Sequence, residues 1–135
     1  MKSITLTILA AFLIAFLPAC KKTDNLTPQQ KLLGKWHLQT ILTHDHIAGA
    51  DHTSTYTGTA NDYVDFRSDG KVYSNVQGQP DTSFYALTGD TKLEIFSTNY
   101  SDSYDVKTLT SSTFVVYVKT SYNNNYSEET STFNK

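Results

Sequence analysis

The sequence predicts an all-β domain on three observations. Apolar and polar residues alternate with a period of two over most of its length, as in Trp36, Leu38 and in Val64, Phe66. Helix formers are scarce: after residue 20 there are four alanines (Ala48, Ala50, Ala60, Ala86), three glutamates and no methionine, against many Thr, Tyr, Val and Phe. Turn-forming clusters recur at roughly the 8 to 12 residue spacing of a sandwich or barrel. At 135 residues the chain has material for one domain and not two. The 11 bases are scattered among 13 acids, which leaves no basic patch for wrapping nucleic acid.

The first element is a leader, not part of the fold. Lys2 precedes a short apolar run, Ile4 to Leu17, which falls below the roughly 18 to 20 residues of a permanent membrane span and reads as a cleaved signal peptide over residues 1–19. Leu17-Pro18-Ala19-Cys20 resembles the bacterial lipobox, although Pro18 replaces the commoner small residue. That resemblance implies cleavage before Cys20, acylation of its thiol and attachment to a membrane through acyl chains, with residues 20–26 as a polar tether. Cys20 is the sole cysteine of a chain expected to leave the cytosol, so an intramolecular disulfide is excluded. The expected location is the cell envelope, with the outer membrane favoured and the side left open. Loss of Lys2 leaves 10 bases against 13 acids in the mature chain.

The folded domain is expected over 27–135. Thr27-Pro28-Gln29-Gln30 has the form of a capping box, with Thr27 as N-cap, Pro28 at the first helical position and Gln30 reaching back; Gly34 should end this short helix. From Lys35 the period becomes two, placing Trp36, Leu38, Thr40 and Leu42 on one face of a first strand and His37, Gln39 and Ile41 on the other. The polar stretch 43–61 shows no clear period and reads as a long loop, with a ragged edge strand around Thr55 to Thr59. Ser68-Asp69-Gly70 then turns a hairpin between Asp62–Arg67 and Lys71–Gln77, and Gly78-Gln79-Pro80-Asp81 makes the next turn. Leu87 to Ile95 and Leu109 to Tyr117 look like copies, each a strand, a two-residue turn and a strand. A last strand follows Asn123-Asn124-Asn125. About eight strands joined by tight turns, without prolines to blunt their edges, favour closure into an up-and-down barrel.

In this order the residues resemble bacterial lipocalin-like lipoproteins, small barrels of the calycin type. Leu32-Leu33-Gly34-Lys35-Trp36 is similar to the opening G-x-W of lipocalins, in which a short helix closes the barrel floor and the tryptophan packs across it, a role the resemblance assigns to Gly34 and Trp36. Val64 to Val72 resembles the family's hairpin, and Tyr85-Ala86-Leu87, Leu93-Glu94-Ile95, Tyr104 to Leu109 and Thr132 to Lys135 follow the remaining strands. The resemblance implies an eight-stranded antiparallel lipocalin-like barrel behind a short N-terminal helix. It also implies a non-catalytic protein that binds a small apolar or amphipathic ligand.

A barrel of about eight strands is wide enough either to fill with its own side chains or to hold one small ligand. The candidate ligand pocket comprises Leu38, Leu42, Phe66 and Val76, together with Tyr85, Leu87, Tyr104 and Phe114. The competing reading is a filled core, with an outer surface of tyrosines (among them Tyr73, Tyr100, Tyr122) and the 43–61 loop contacting a protein or glycan of unknown identity. A weaker alternative is metal capture by His44, His46 and His52, since imidazole and carboxylate ligate zinc, nickel and copper, although the spacing is not a known zinc pattern. No catalytic motif is present: there is no G-x-S-x-G elbow, phosphate loop or H-E-x-x-H helix. No cofactor is implied.

Overall fold

Hydrogen bonding closes the chain on itself in a computed structural model that describes residues 25–135. The leader and Cys20 lie outside the described residues. A single helical turn, α1 (Pro28–Leu32), is followed by nine strands: β1 (Gly34–Ile47), β2 (Ala50–Thr57), β3 (Tyr63–Phe66), β4 (Lys71–Val76), β5 (Gln79–Thr88), β6 (Lys92–Phe96), β7 (Ser101–Leu109), β8 (Thr113–Tyr122) and β9 (Asn125–Asn134). Every neighbour is antiparallel, and β9 returns to pair with β1, so the sheet closes.

Nine strands fill eight positions in the wall, because β2 and β3 share one edge of β1. The upper part of β1 pairs with β2 (Thr40 opposite Thr57) and the lower part with β3 (His37 opposite Tyr63), while β9 runs along the other edge. Between these two pairings three steps along β1 face six on the partner strand. The surplus residues form a link clamped by Asp62, whose carboxylate accepts from the Tyr56 hydroxyl (2.8 Å), the Thr59 amide and hydroxyl (2.7 Å each) and the Gln77 amide (2.7 Å). These bonds, led by the one from the Thr59 hydroxyl, lower the Asp62 pKa to about 2.

The helix forms as its sequence specifies. Thr27 Oγ1 accepts from the Gln30 amide and the Gln30 side chain accepts from the Thr27 amide, completing the capping box. Leu32 is fully buried and Gly34 enters β1 at φ +100, a backbone conformation that favours glycine. The helix plugs the lower end of the barrel. Trp36, also fully buried, donates from Nε1 to the Leu32 carbonyl (2.7 Å) and packs on Phe114 with ring centroids 5.5 Å apart. Lys135, just past the last strand, lies over the Trp36 ring and donates to the carbonyls of Lys31 and Leu33, groups that a helix end leaves unsatisfied. Phe66, Phe114, Phe133 and Tyr85 complete an aromatic floor by edge and stacked contacts.

Two expectations are corrected here. The stretch 43–61 is not a long loop: β1 continues to Ile47 and turns at Ala48-Gly49 (φ 52 and 81) into β2. β2 is exposed at every position but Tyr56, and Thr43 to His46 of β1 are half-buried on both faces, so no buried side imposed an alternation on the hairpin. The second correction concerns Leu42. A bulge between Leu38 and Thr40 inserts one extra residue against β9 and reverses the face on which later side chains lie. Ile41 is therefore buried, and Leu42, expected inside, faces outward with 45% of its surface exposed. A smaller difference is that the matching turns after β5 and β7 have three residues between strands rather than two.

Candidate functional site

The interior is not filled. A cavity of about 420 Å³ opens at the end opposite α1 and lies among inward side chains from β1 and from β3 through β9. Its character changes with depth, because successive inward positions on each strand are two residues apart. Four lining strands descend from the mouth; on β3 the uppermost inward lining residue is Val64, and on β5, β7 and β9 it is an acid, Asp81, Asp102 and Glu129 respectively. Two residues further down β5, β7 and β9 come Ser83, Tyr104 and Ser131, a layer of hydroxyls. Below these the lining is apolar, with Ile41, Phe66, Leu93, Phe114, Val116 and Phe133, and β4 adds one more hydroxyl, Ser74, paired with Asp81 in the β4–β5 register.

The hydroxyl layer is partly tied to the mouth. Ser83 Oγ donates to Asp81 (2.6 Å), as does the Tyr100 hydroxyl (2.7 Å), and the Ser83 and Tyr100 hydroxyls are themselves in contact. The bonds from Ser83 and then Tyr100 hold the Asp81 carboxyl below the usual carboxylate range. Ser131 Oγ donates to Glu129 (3.1 Å). Tyr104 differs: burial, with a lesser contribution from the negative field of Asp102, pushes its pKa up to about 12, so its hydroxyl keeps its proton and remains a donor at the cavity wall.

Of the candidate pocket residues, Leu38, Phe66, Val76, Tyr104 and Phe114 line this cavity. Leu42 lies outside for the reason given. Tyr85 is buried in the floor, its hydroxyl donating to the Arg67 carbonyl (2.8 Å) and accepting from Gln29 of the helix (3.0 Å), and Leu87 packs beside the core without reaching the void. Trp36 and Gly34 belong to the floor and its entry. The polar residues of the mouth, Asp81, Asp102, Glu129, Ser83 and Ser131, are not among the pocket residues expected from sequence, all of which are apolar or aromatic. Tyr100, expected on the outer surface, also lines the cavity. The signal that could have found most of them is the same period of two, continued upward from Tyr85, Tyr104 and Phe133.

The histidines separate. His44 and His46 lie on the outer face of β1, where Asp51 of β2 approaches His46 Nδ1 at 2.7 Å and His44 Nε2 at 3.5 Å, and both rings stack on Tyr126. The hydrogen bond with His46 above all holds the Asp51 carboxyl below its usual range. His52 pairs with Asp45 in the β1–β2 register, one position along from the Asp51–His46 pair, and so belongs to the opposite face. It does not join the other two. Among the described residues no group of three or more His, Cys, Asp or Glu side chains is arranged to hold a metal ion.

A closed antiparallel barrel with a helical plug at one end and a cavity open at the other defines a calycin-type fold. A family model described as a lipocalin-like domain matches residues 32–116, more than half of the chain, and the chain belongs to that family. Neither the comparison with curated proteins nor that with solved structures gave a match.

Proposed function

We propose that this protein is a non-catalytic binding barrel of the bacterial cell envelope, held to a membrane through acyl chains on Cys20, that carries one small apolar or amphipathic molecule. The observation that carries the reading is the cavity: about 420 Å³, apolar in its depth, with hydroxyls near its entrance. At about 30 Å³ per water-sized group, it has room for about 14 non-hydrogen atoms, a volume within the range of small-molecule sites. A filled core would leave no such space. The tether argues for an orientation as well. It joins the fold at Thr27, beside the plugged end, so an anchored barrel would present its mouth away from the lipid surface and load from water.

Native mass spectrometry of the protein purified from membranes tests the binding reading. A bound small molecule that solvent extraction releases is the expected result, and Ile41→Trp, which puts an indole into the void, should abolish it. A body that is always bare, and that takes up no small apolar probe, would overturn the proposal. The anchor is tested separately: Cys20→Ala should shift the protein from the membrane to the soluble fraction, and unchanged sedimentation with membranes would overturn it.

A further inference from the structure

The charges of the molecule are sorted between its two faces. On the outer wall acids meet cations: Asp65 with Arg67, Asp105 with Lys92 and Lys107, Glu128 with Lys119. Lys35 lies over Tyr63, and Lys135 is committed to the end of the helix. Inside the mouth the balance is absent. Asp81, Asp102 and Glu129 line the cavity together with no Lys, Arg or His, and among the described residues none of the three forms an ion pair. Among the described residues the side chains that bond to Asp81 and Glu129 there are hydroxyls, and a hydroxyl donates a proton without supplying charge.

We propose that the cavity selects a cationic amphiphile, a molecule of roughly ten to fourteen non-hydrogen atoms whose apolar body enters the barrel and whose protonated nitrogen stops between Asp81, Asp102 and Glu129. The inference rests on the binding reading above and adds the sign of the ligand's charge. The three acids line one cavity from alternate strands, with Asp81 and Asp102 both close enough to act on the Tyr100 hydroxyl, and Asp102 and Glu129 both close enough to act on that of Tyr104. Asp81 and Asp102 are exposed and Glu129 is half-buried, so the attraction acts through partly solvated charges and is sensitive to salt. An anionic head group at the same depth would meet three like charges and find only hydroxyls as donors. Tyr104, two residues below Asp102, can donate a hydrogen bond to a carbonyl or ether oxygen carried by the ligand.

The test is a chain-matched series, phenylbutylamine, phenylbutanol and phenylbutyrate, titrated calorimetrically into the full lipidated chain in detergent, with ligand titrated into empty micelles subtracted. The amine should bind about tenfold or more tightly than the alcohol, with the carboxylate weakest, and the preference should shrink as salt rises. Asp102→Asn combined with Glu129→Gln should narrow the amine-to-alcohol ratio to about threefold or less, the alcohol's own affinity serving as the internal measure that the barrel is folded. Equal binding of the three probes, or preference for the carboxylate, would overturn the charge inference and leave the binding reading standing. Binding of none would overturn both. A ratio unmoved in the double variant would place the cation elsewhere and overturn the assignment of these residues.

Discussion

Replacing Gly58 with alanine should be among the most damaging single-methyl additions to this chain. Gly58 lies where β2 gives way to the Asp62 link, against the bulge of β1. A Cβ at this position would fall 2.1 Å from the Leu38 carbonyl oxygen and 2.7 Å from its carbon. Both are backbone atoms, so no rotamer can relieve the contact, and the two strands must part by about 1 Å to restore an ordinary van der Waals separation. Two hydrogen bonds span the same point, from the Gly58 amide to the Gln39 carbonyl (2.8 Å) and from the Leu38 amide to the Asp62 carbonyl (3.0 Å). Overpacking costs about 1 to 3 kcal/mol and each weakened bond about 1 kcal/mol, so the expected loss is about 3 to 5 kcal/mol. In urea, with a slope of about 1.5 kcal/mol per molar, a loss of 3 kcal/mol moves the midpoint by about 2 M. The single tryptophan, Trp36, buried beneath this region, reports the transition by fluorescence. Gly49→Ala and Gly89→Ala are the controls: neither Cβ meets an atom within 4 Å, and both residues have positive φ. Their cost should be only the left-handed penalty of about 1 to 2 kcal/mol. A Gly58→Ala midpoint within about 0.5 M of the parent, or equal to the controls, would refute the close approach of these strands.

The bulge itself is tested by neighbours: Ile41→Ala should cost about 2 to 5 kcal/mol and Leu42→Ala within about 0.5 kcal/mol, with the reverse order by urea unfolding showing that the faces are not exchanged. Trp36→Phe leaves the Leu32 carbonyl without its donor and should cost about 1 to 3 kcal/mol by the same assay read through circular dichroism. Asp62 titrates near 2 in the folded chain against its ordinary 3.8, so its contribution to stability is whole above about pH 4 and fades as pH falls toward 2. Asp62→Asn should lower the melting temperature at neutral pH and flatten its decline between those values, and parallel parent and variant curves would exclude the depressed carboxyl. Val116→Trp, like Ile41→Trp, should block uptake of phenylbutylamine, which equilibrium dialysis reads directly.

How much of this could be read from the chain is shown by residue pairs. Thr27 and Gln30 are three apart, and their cap forms as written because each partner is within one helical turn. Val64, Phe66 and Val72 face inward because alternation on short strands suffices to assign sides. Ile41 and Leu42 were exchanged by a bulge at Gln39, and a single extra residue leaves no mark on composition or hydropathy. The rising hairpin of β1 and β2 went unseen because Ala48-Gly49 is a weaker turn signal than Asn-Gly and its strands lack a buried face. The mouth escaped for the opposite reason: Asp81, Asp102 and Glu129 are polar residues on inward positions.

Local patterning by itself determined the β class, the short capped helix and the inward side of Trp36, since each depends on side chains a few residues apart or on a period that the next residue repeats; the closing of the floor by that helix and Trp36 was implied by the family resemblance. Tertiary structure alone decided that β2 and β3 share one wall position, that the barrel holds a void, and that three acids from separate strands line it together. Those features come from closure, in which β9 meets β1 across the length of the chain. The volume left inside and the charges that line it are properties of the ring, and no segment of it carries them.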